Sequence, residues 1–106
     1  MDFSVRKEVD GAATILHLQG VLDITTTHLI SPYLENLEKG TKTLVFDFSS
    51  LDFLDSTGIG SIINAIHLSQ SEGFTIHFEG VSDLVDQVFN MVGVYKILEA
   101  IQGEGV

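Results

Sequence analysis

Hydrophobic residues recur along the chain with two periods, and the changes between them predict alternating strands and helices. "FSVRKEV" and "ATILHLQG" alternate as two strands, joined by a hairpin turn at "DGA", residues 10–12. "TLVFDFSS" is almost continuously apolar, which predicts a central parallel strand buried on both faces and ending near Phe48. "FTIHFEG" and "VYKILEAI" are predicted to be two further strands, the second of which closes the chain.

A first helix is predicted from its apolar face, which consists of Leu29, Ile30, Tyr33, Leu34 and Leu37. We expect one threonine of residues 25–27 to cap this helix and Gly40 to end it. Pro32 removes a backbone hydrogen bond, so it should bend the helix unless the regular helix begins only at Ser31.

Two more helices follow in the second half of the chain. One has the apolar face Ile59, Ile62, Ile63 and Ile66. This helix should end at Gly73. The other helix, "SDLVDQVFNMVG", should begin with Ser82 as its N-cap and end at Gly93. The predicted order is ββαβαβαβ, an α/β fold with a mixed sheet and helices packed on it. We expect one domain over residues 1–102 and a flexible tail over residues 103–106.

Composition and charge narrow the possible partners. The 106 residues include 15 acidic and 5 basic side chains, a net charge of −10, which disfavours nucleic acid and anionic membrane surfaces. Solubility alone or a basic protein partner explains such a charge.

No apolar run approaches the roughly 20 residues that span a bilayer, and the first ten residues lack a signal-peptide pattern. The absence of cysteine fits a reducing compartment. We therefore expect a cytoplasmic protein without direct membrane insertion.

The segment "FLDSTGIGSI" is the chain's most distinctive polar stretch, with Ser56 flanked by Asp55 and Thr57. A serine nucleophile would need a Gly-x-Ser-x-Gly elbow or a positioned base, and this segment supplies neither in a recognisable form. No triad signature includes any of the histidines, for which we expect structural or surface roles: His17, His28, His67 and His77.

Other site chemistries find no support in this segment. An aspartic protease would require a second, facing carboxylate motif, and a phosphate-binding P-loop would require a lysine after the glycines. The carboxylates Asp47, Asp52 and Asp55 are scattered and have no adjoining histidine, so no metal is predicted. We expect neither a cofactor nor an enzymatic activity.

Two roles for Ser56 remain open on physical grounds. Its hydroxyl could cap the helix that begins near Thr57 or Gly58, a contribution of about 1 kcal/mol. Alternatively, Ser56 could be phosphorylated, which adds about −1.5 to −2 charges that a helix N-terminus tolerates and Asp55 opposes. Gly58 and Gly60 lack side chains and would allow a partner to approach the backbone closely.

Three motifs, in this order and at this spacing, identify the chain as a member of the STAS domain family. They are "GVLD" at residues 20–23, "DSTGIG" at residues 55–60 and "MVGVYKI" at residues 91–97. The resemblance extends over about residues 3–101 and is closest to the small bacterial anti-sigma factor antagonists.

The resemblance implies a phosphorylation switch. The partner would be an anti-sigma factor with serine kinase activity, which binds the unphosphorylated chain and phosphorylates Ser56, and a serine phosphatase would reverse the reaction. Thr57 is a secondary candidate acceptor. The implied partner-binding residues are Asp23, Asp55, Ser56, Thr57, Gly58 and Gly60. The alternatives are a scaffold subunit of a stress-signalling or lipid-transport complex and an enzyme that uses Ser56 as nucleophile.

Overall fold

The computed structural model describes residues 2–103, which form a four-stranded sheet in the order β1-β2-β3-β4. β1 and β2 are antiparallel, whereas β2 and β3, and β3 and β4, are parallel. The bounds of these strands are β1, Phe3–Asp10; β2, Ala13–Leu22; β3, Thr43–Leu54; and β4, Thr75–Glu79. The predicted hairpin, mixed sheet and central parallel position of β3 are therefore confirmed. Its predicted burial on both faces holds only in part, because Val45 is buried on the face opposite Phe46 but Asp47 on that face is half-buried.

Helices cover one face of this sheet. A short 3₁₀ turn, Thr27–Leu29, precedes four α-helices. Their bounds are α1, Ser31–Glu35; α2, Ser56–Glu72; α3, Asp83–Val92; and α4, Val94–Gln102. Within residues 2–103, no helix combines the length and apolar character needed to cross a membrane.

The core lies between the sheet and the helices. Alternate residues of the two central strands are buried there: Leu16, Leu18, Leu44, Phe46 and Phe48. The ring of Phe89 on α3 contacts Phe48 edge to face at a centroid distance of 5.4 Å. Because side chains alternate across a strand, the intervening residues of β2 and β3 lie on the opposite face of the sheet.

The predicted ends of the second and third helices are confirmed. Gly73 adopts a left-handed conformation, φ 82°, at the end of α2, and Gly93 does so at the end of α3 with φ 85°. The hydroxyl of Ser82 accepts the N–H of Val85 at 3.2 Å and caps α3.

The predicted final strand is wrong, because "VYKILEAI" forms α4 and the order is ββαβαβαα. Its buried residues Val94 and Leu98 are four positions apart and share one helix face. The edge strand β4 is instead bonded by the amide of Gln102, whose Oε1 accepts the N–H of Ile76 and whose Nε2 donates to the Ile76 carbonyl at 3.1 Å. This side chain supplies the two edge hydrogen bonds of Ile76 that a fifth strand would otherwise have made.

The first helix is shorter than predicted. α1 ends at Glu35 with Asn36 as its C-cap, not at Gly40, and no threonine of residues 25–27 makes a side-chain cap for α1 or the 3₁₀ turn. Pro32 lies in the first turn of α1, where a missing N–H is harmless because that turn's N–H groups have no intrahelical partner. Of the predicted tail, Gly103 is exposed and the rest lies outside the described residues.

Candidate functional site

The segment around Ser56 lies where β3 passes directly into α2. β3 extends six residues beyond Phe48, the end that the sequence predicted, and the strand and helix are separated by Asp55 alone. The N–H of Asp55 donates to the carbonyl of Leu22 at the end of β2, at 3.2 Å. The motif at residues 20–23 and the motif at residues 55–60 therefore meet at one end of the sheet.

The helix cap at this site is Asp55 and not Ser56, which corrects the sequence-based assignment. Asp55 Oδ1 accepts the N–H of Gly58 at 2.9 Å, and the Asp55 carbonyl accepts the N–H of Ile59 at 2.9 Å. Ser56 is the first residue of α2 and is exposed. Because the longer strand leaves one residue as the connection, the cap falls one position earlier than predicted. The Ser56 hydroxyl consequently has no capping role.

Gly58 and Gly60 have different surroundings. Gly58 is buried, and a Cβ on it would lie 2.3 Å from the carbonyl oxygen of Leu22. Its missing side chain lets the start of α2 pack directly on the end of β2. Gly60 is exposed, and a Cβ there would have nothing within 4 Å. Of the two glycines, only Gly60 presents open backbone on the surface.

Asp23 organises the turn that follows β2. Its Oδ1 accepts the N–H and the hydroxyl of Thr25 at 2.9 and 2.7 Å. The buried hydroxyl of Thr26 accepts the Asp23 N–H at 2.9 Å and donates to the carbonyl of Val21 at 2.8 Å. The Thr25 hydroxyl holds the pKa of Asp23 below its usual value, so this carboxylate is ionised beside the Ser56 segment.

Hydroxyl contacts join this turn to the first turns of α2. Thr27 and Ser61 are hydrogen-bonded through their hydroxyls, and the Ser61 hydroxyl also donates to the carbonyl of Thr57 at 3.4 Å. Thr57 is half-buried, whereas Ser56 is exposed. Of the two hydroxyls of the motif, that of Ser56 is the more accessible to another protein.

Two large apolar side chains flank the segment and were missed by the sequence reasoning. Ile24, directly after Asp23, is 72% exposed, and Phe53, near the end of β3, is 45% exposed. The pairing of Val21 with Phe53 and of Leu22 with Leu54 places both residues at the same end of the sheet as Ser56. The signal in the sequence was an isoleucine inside a polar turn, "LDITTT".

Within residues 2–103, no hydrogen bond joins a histidine to Ser56. His28, His67 and His77 are exposed, and His17 is hydrogen-bonded to Asp47 and Glu8 on the sheet. Among residues 2–103, no group of three histidine and carboxylate side chains is placed to hold a metal ion.

Comparison with known proteins identifies related chains. The STAS domain family matches residues 4–104. An anti-sigma F factor antagonist from Paenibacillus polymyxa is 24% identical over 106 residues, which cover 98% of this chain and 91% of that protein.

Solved structures share the fold at low sequence identity. The anti-sigma factor antagonist SpoIIAA in its unphosphorylated form has a TM-score of 0.64 at 20% identity, covering 85% of this chain and 83% of that chain. A sulfate transporter family protein from Wolinella succinogenes has a TM-score of 0.77 at 20% identity, covering 87% of this chain and 75% of that chain. The match over residues 4–104 shows that the chain belongs to the STAS domain family.

Proposed function

We propose that this protein is an anti-sigma factor antagonist that binds an anti-sigma factor with serine kinase activity and is switched off by phosphorylation of Ser56. The observation that carries the proposal is the position of Ser56. It is exposed at the first residue of α2, and Asp55 supplies the cap in its place. The name of the Paenibacillus polymyxa relative supports the antagonist role. A serine phosphatase would restore the binding form.

A phosphate on Ser56 is compatible with the fold. The first N–H groups of a helix and its dipole stabilise an anion at this end. The added charge of about −1.5 to −2 would also lie next to Asp55 and close to the turn of Asp23, both acidic. Phosphorylation would therefore make this already acidic surface more negative and bulkier, with a smaller effect on the stability of the protein.

The proposed contact surface comprises the exposed and half-exposed residues at this end of the sheet: Asp23, Ile24, Phe53, Asp55, Ser56, Thr57 and Gly60. Gly58 is buried and supports this surface without belonging to it, because its close packing on Leu22 fixes the position of the start of α2. Exposed apolar side chains next to charged ones are typical of the anchors of protein interfaces.

Phosphate mapping tests the proposal. The protein would be incubated with ATP and each anti-sigma factor of the host that has serine kinase activity, and the modified residue located by mass spectrometry. We expect one phosphate on Ser56, no phosphate on Ser56→Ala, and unchanged phosphorylation of Thr57→Val. Stoichiometric phosphorylation of Ser56→Ala at another residue would contradict the assignment of the site.

The apolar anchors give a separate prediction. Ile24→Ser and Phe53→Ser should each weaken binding of the anti-sigma factor at least about tenfold, since the hot-spot anchors of an interface contribute about 2 kcal/mol or more and a tenfold loss corresponds to about 1.4 kcal/mol. Ile24 is 72% exposed, so Ile24→Ser should change the free energy of unfolding by less than about 0.5 kcal/mol, whereas Phe53→Ser should cost about 1 kcal/mol because about half of the ring is buried. Leu84→Ser is the matched control, because Leu84 is 50% exposed on α3. Equal affinities of all three variants, measured by titration calorimetry, would exclude Ile24 and Phe53 from the interface.

A further inference from the structure

A chain of polar side chains crosses three strands on the face of the sheet away from the helices. His17 on β2 lies between the core residues Leu16 and Leu18 and therefore points to the opposite face, where its side chain is 23% exposed. Its Nδ1 is 2.6 Å from Asp47 Oδ2 on β3, and its Nε2 is 2.8 Å from Glu8 Oε1 on β1. One imidazole thus bridges both neighbouring strands.

This geometry requires a charged imidazole. A neutral histidine has one N–H and one acceptor nitrogen, whereas ionised carboxylates only accept. Both contacts are therefore satisfied when His17 carries two N–H groups. The hydrogen bond to Asp47, followed by that to Glu8, raises the pKa of His17 above its ordinary value of 6.5. The pKa of Asp47 lies below its usual value, because hydrogen bonds from Ser49 and His17 outweigh the effect of burial.

Charged and titratable side chains of β1 and β4 share the face of this bridge. Arg6 on β1 is 3.9 Å from Glu8 and opposes the charge on His17. On the far side, β4 contributes His77 and Glu79, which lie 3.8 Å apart. His77 pairs with Val45, and Glu79 pairs with Asp47, so both share the face of the bridge.

The bridge lies where the pairing of β2 with β3 changes register. His17 pairs with Asp47, and the next pair is Gln19 with Ser50, so β3 contains one extra residue there. The N–H and hydroxyl of Ser49, which lies in this irregular segment, donate to Asp47 Oδ1 at 3.0 and 2.6 Å. One carboxylate oxygen of Asp47 is therefore hydrogen-bonded to His17 on β2, and the other is hydrogen-bonded to Ser49 in the irregular segment of β3.

The register of β3 determines where Ser56 is presented. A second shift follows between Gly20 and Val21, after which Leu22 pairs with Leu54 and its carbonyl accepts the N–H of Asp55. Strands with irregular pairing need a local device that selects one register. We propose that the His17 imidazolium, held between Glu8 and Asp47, is a proton-dependent clamp that fixes β3 on β2 and positions Asp55 and Ser56.

The sign of the pH dependence follows from the two charge states. Below a pH of about 6.5, His17 is protonated in the folded and unfolded states, and the clamp contributes fully to stability. As the pH rises through the higher folded-state pKa of His17, the proton is lost and the contribution disappears.

Urea unfolding and NMR titration of the full chain from about pH 6 to about pH 9 test the clamp. We expect the free energy of unfolding of the wild type to decrease as the pH rises over this range, and we expect this decrease to be absent in His17→Gln. The matched control His77→Gln, altered on the same face, should retain it. The Ser49 amide resonance should titrate with the His17 ring, and the protection factor of the Asp55 N–H, corrected for intrinsic exchange, should decrease on deprotonation.

Two results would overturn the proposal. One is a wild-type pH dependence that persists unchanged in His17→Gln, which would assign it to other groups. The other is a His17 ring that titrates at or below the ordinary histidine value while the protection of Asp55 stays constant. Neither result would bear on phosphorylation of Ser56, so the clamp and the proposed function can fail separately.

Discussion

Replacing Gly58 with alanine is expected to destabilise the protein by about 1–3 kcal/mol, although alanine normally favours a helix. The added Cβ would lie 2.3 Å from the carbonyl oxygen of Leu22 and 3.0 Å from its Cγ. The carbonyl cannot move away freely, because it accepts the N–H of Asp55. The start of α2 would have to shift away from β2, which weakens this hydrogen bond and opens the packing around Leu22.

Gly60→Ala is the matched control for this substitution. Gly60 lies in the same helix, two residues further on, and a Cβ there meets nothing within 4 Å. Alanine should therefore stabilise the protein by about 0.5–1 kcal/mol through its helix propensity. Urea unfolding of the two variants should show opposite signs. Equal changes in both would show that the start of α2 is not in close contact with β2.

The second large effect concerns charge at Ser56. Ser56→Ala should bind the anti-sigma factor as tightly as the wild type, whereas Ser56→Asp should bind at least about tenfold more weakly, a loss of about 1.4 kcal/mol. A poorly paired charge at an interface can cost several kcal/mol, and the neighbours Asp55 and Asp23 leave the new carboxylate without a cation in this segment.

Stability measurements separate this effect from misfolding. Asp55, and not Ser56, caps α2, so Ser56→Ala should change the free energy of unfolding by less than about 0.5 kcal/mol. Titration calorimetry with the anti-sigma factor gives the affinities. Ser56→Asp binding as tightly as Ser56→Ala, with both variants folded, would show that charge at this position does not control the interaction.

Sequence patterns correctly predicted those helix ends that are determined by the residue at the end itself. Two helices end at a glycine, Gly73 and Gly93, because glycine readily adopts the left-handed conformation, and α3 begins at Ser82 because its hydroxyl caps the helix. These roles depend on the residue itself and can be predicted without tertiary information. The alternating strands were predicted for the same reason, since a side-chain period of two is a local property, and β3 was predicted from its almost continuous apolar run.

The predictions of the final strand and of the α2 cap were wrong because tertiary contacts determine both features. "VYKILEAI" contains three β-branched residues, but Gln102 already makes the edge hydrogen bonds of Ile76 on β4, and Val94 and Leu98 are buried on a helix face. The cap moved from Ser56 to Asp55 because β3 continues past Phe48 by pairing with the end of β2. Such pairing depends on residues distant in sequence, which no local pattern records.

The candidate segment around Ser56 was recognised from its motif, but its geometry could not be predicted from the sequence. The motif indicated Ser56 as the acceptor, while the burial of Gly58 against Leu22 and the exposure of Ile24 and Phe53 became evident only in the folded chain. Exposure depends on what packs over a residue, so a lone apolar residue in a turn cannot be assigned to the surface from its neighbours in sequence.

The most direct test of the phosphorylation switch compares two forms of the wild-type chain. The protein would be phosphorylated stoichiometrically on Ser56, purified, and titrated against the anti-sigma factor beside the unphosphorylated form. The account predicts that the phosphorylated form binds at least about tenfold more weakly while its urea unfolding midpoint stays close to that of the unphosphorylated form. Equal affinities of the two forms would contradict the switch.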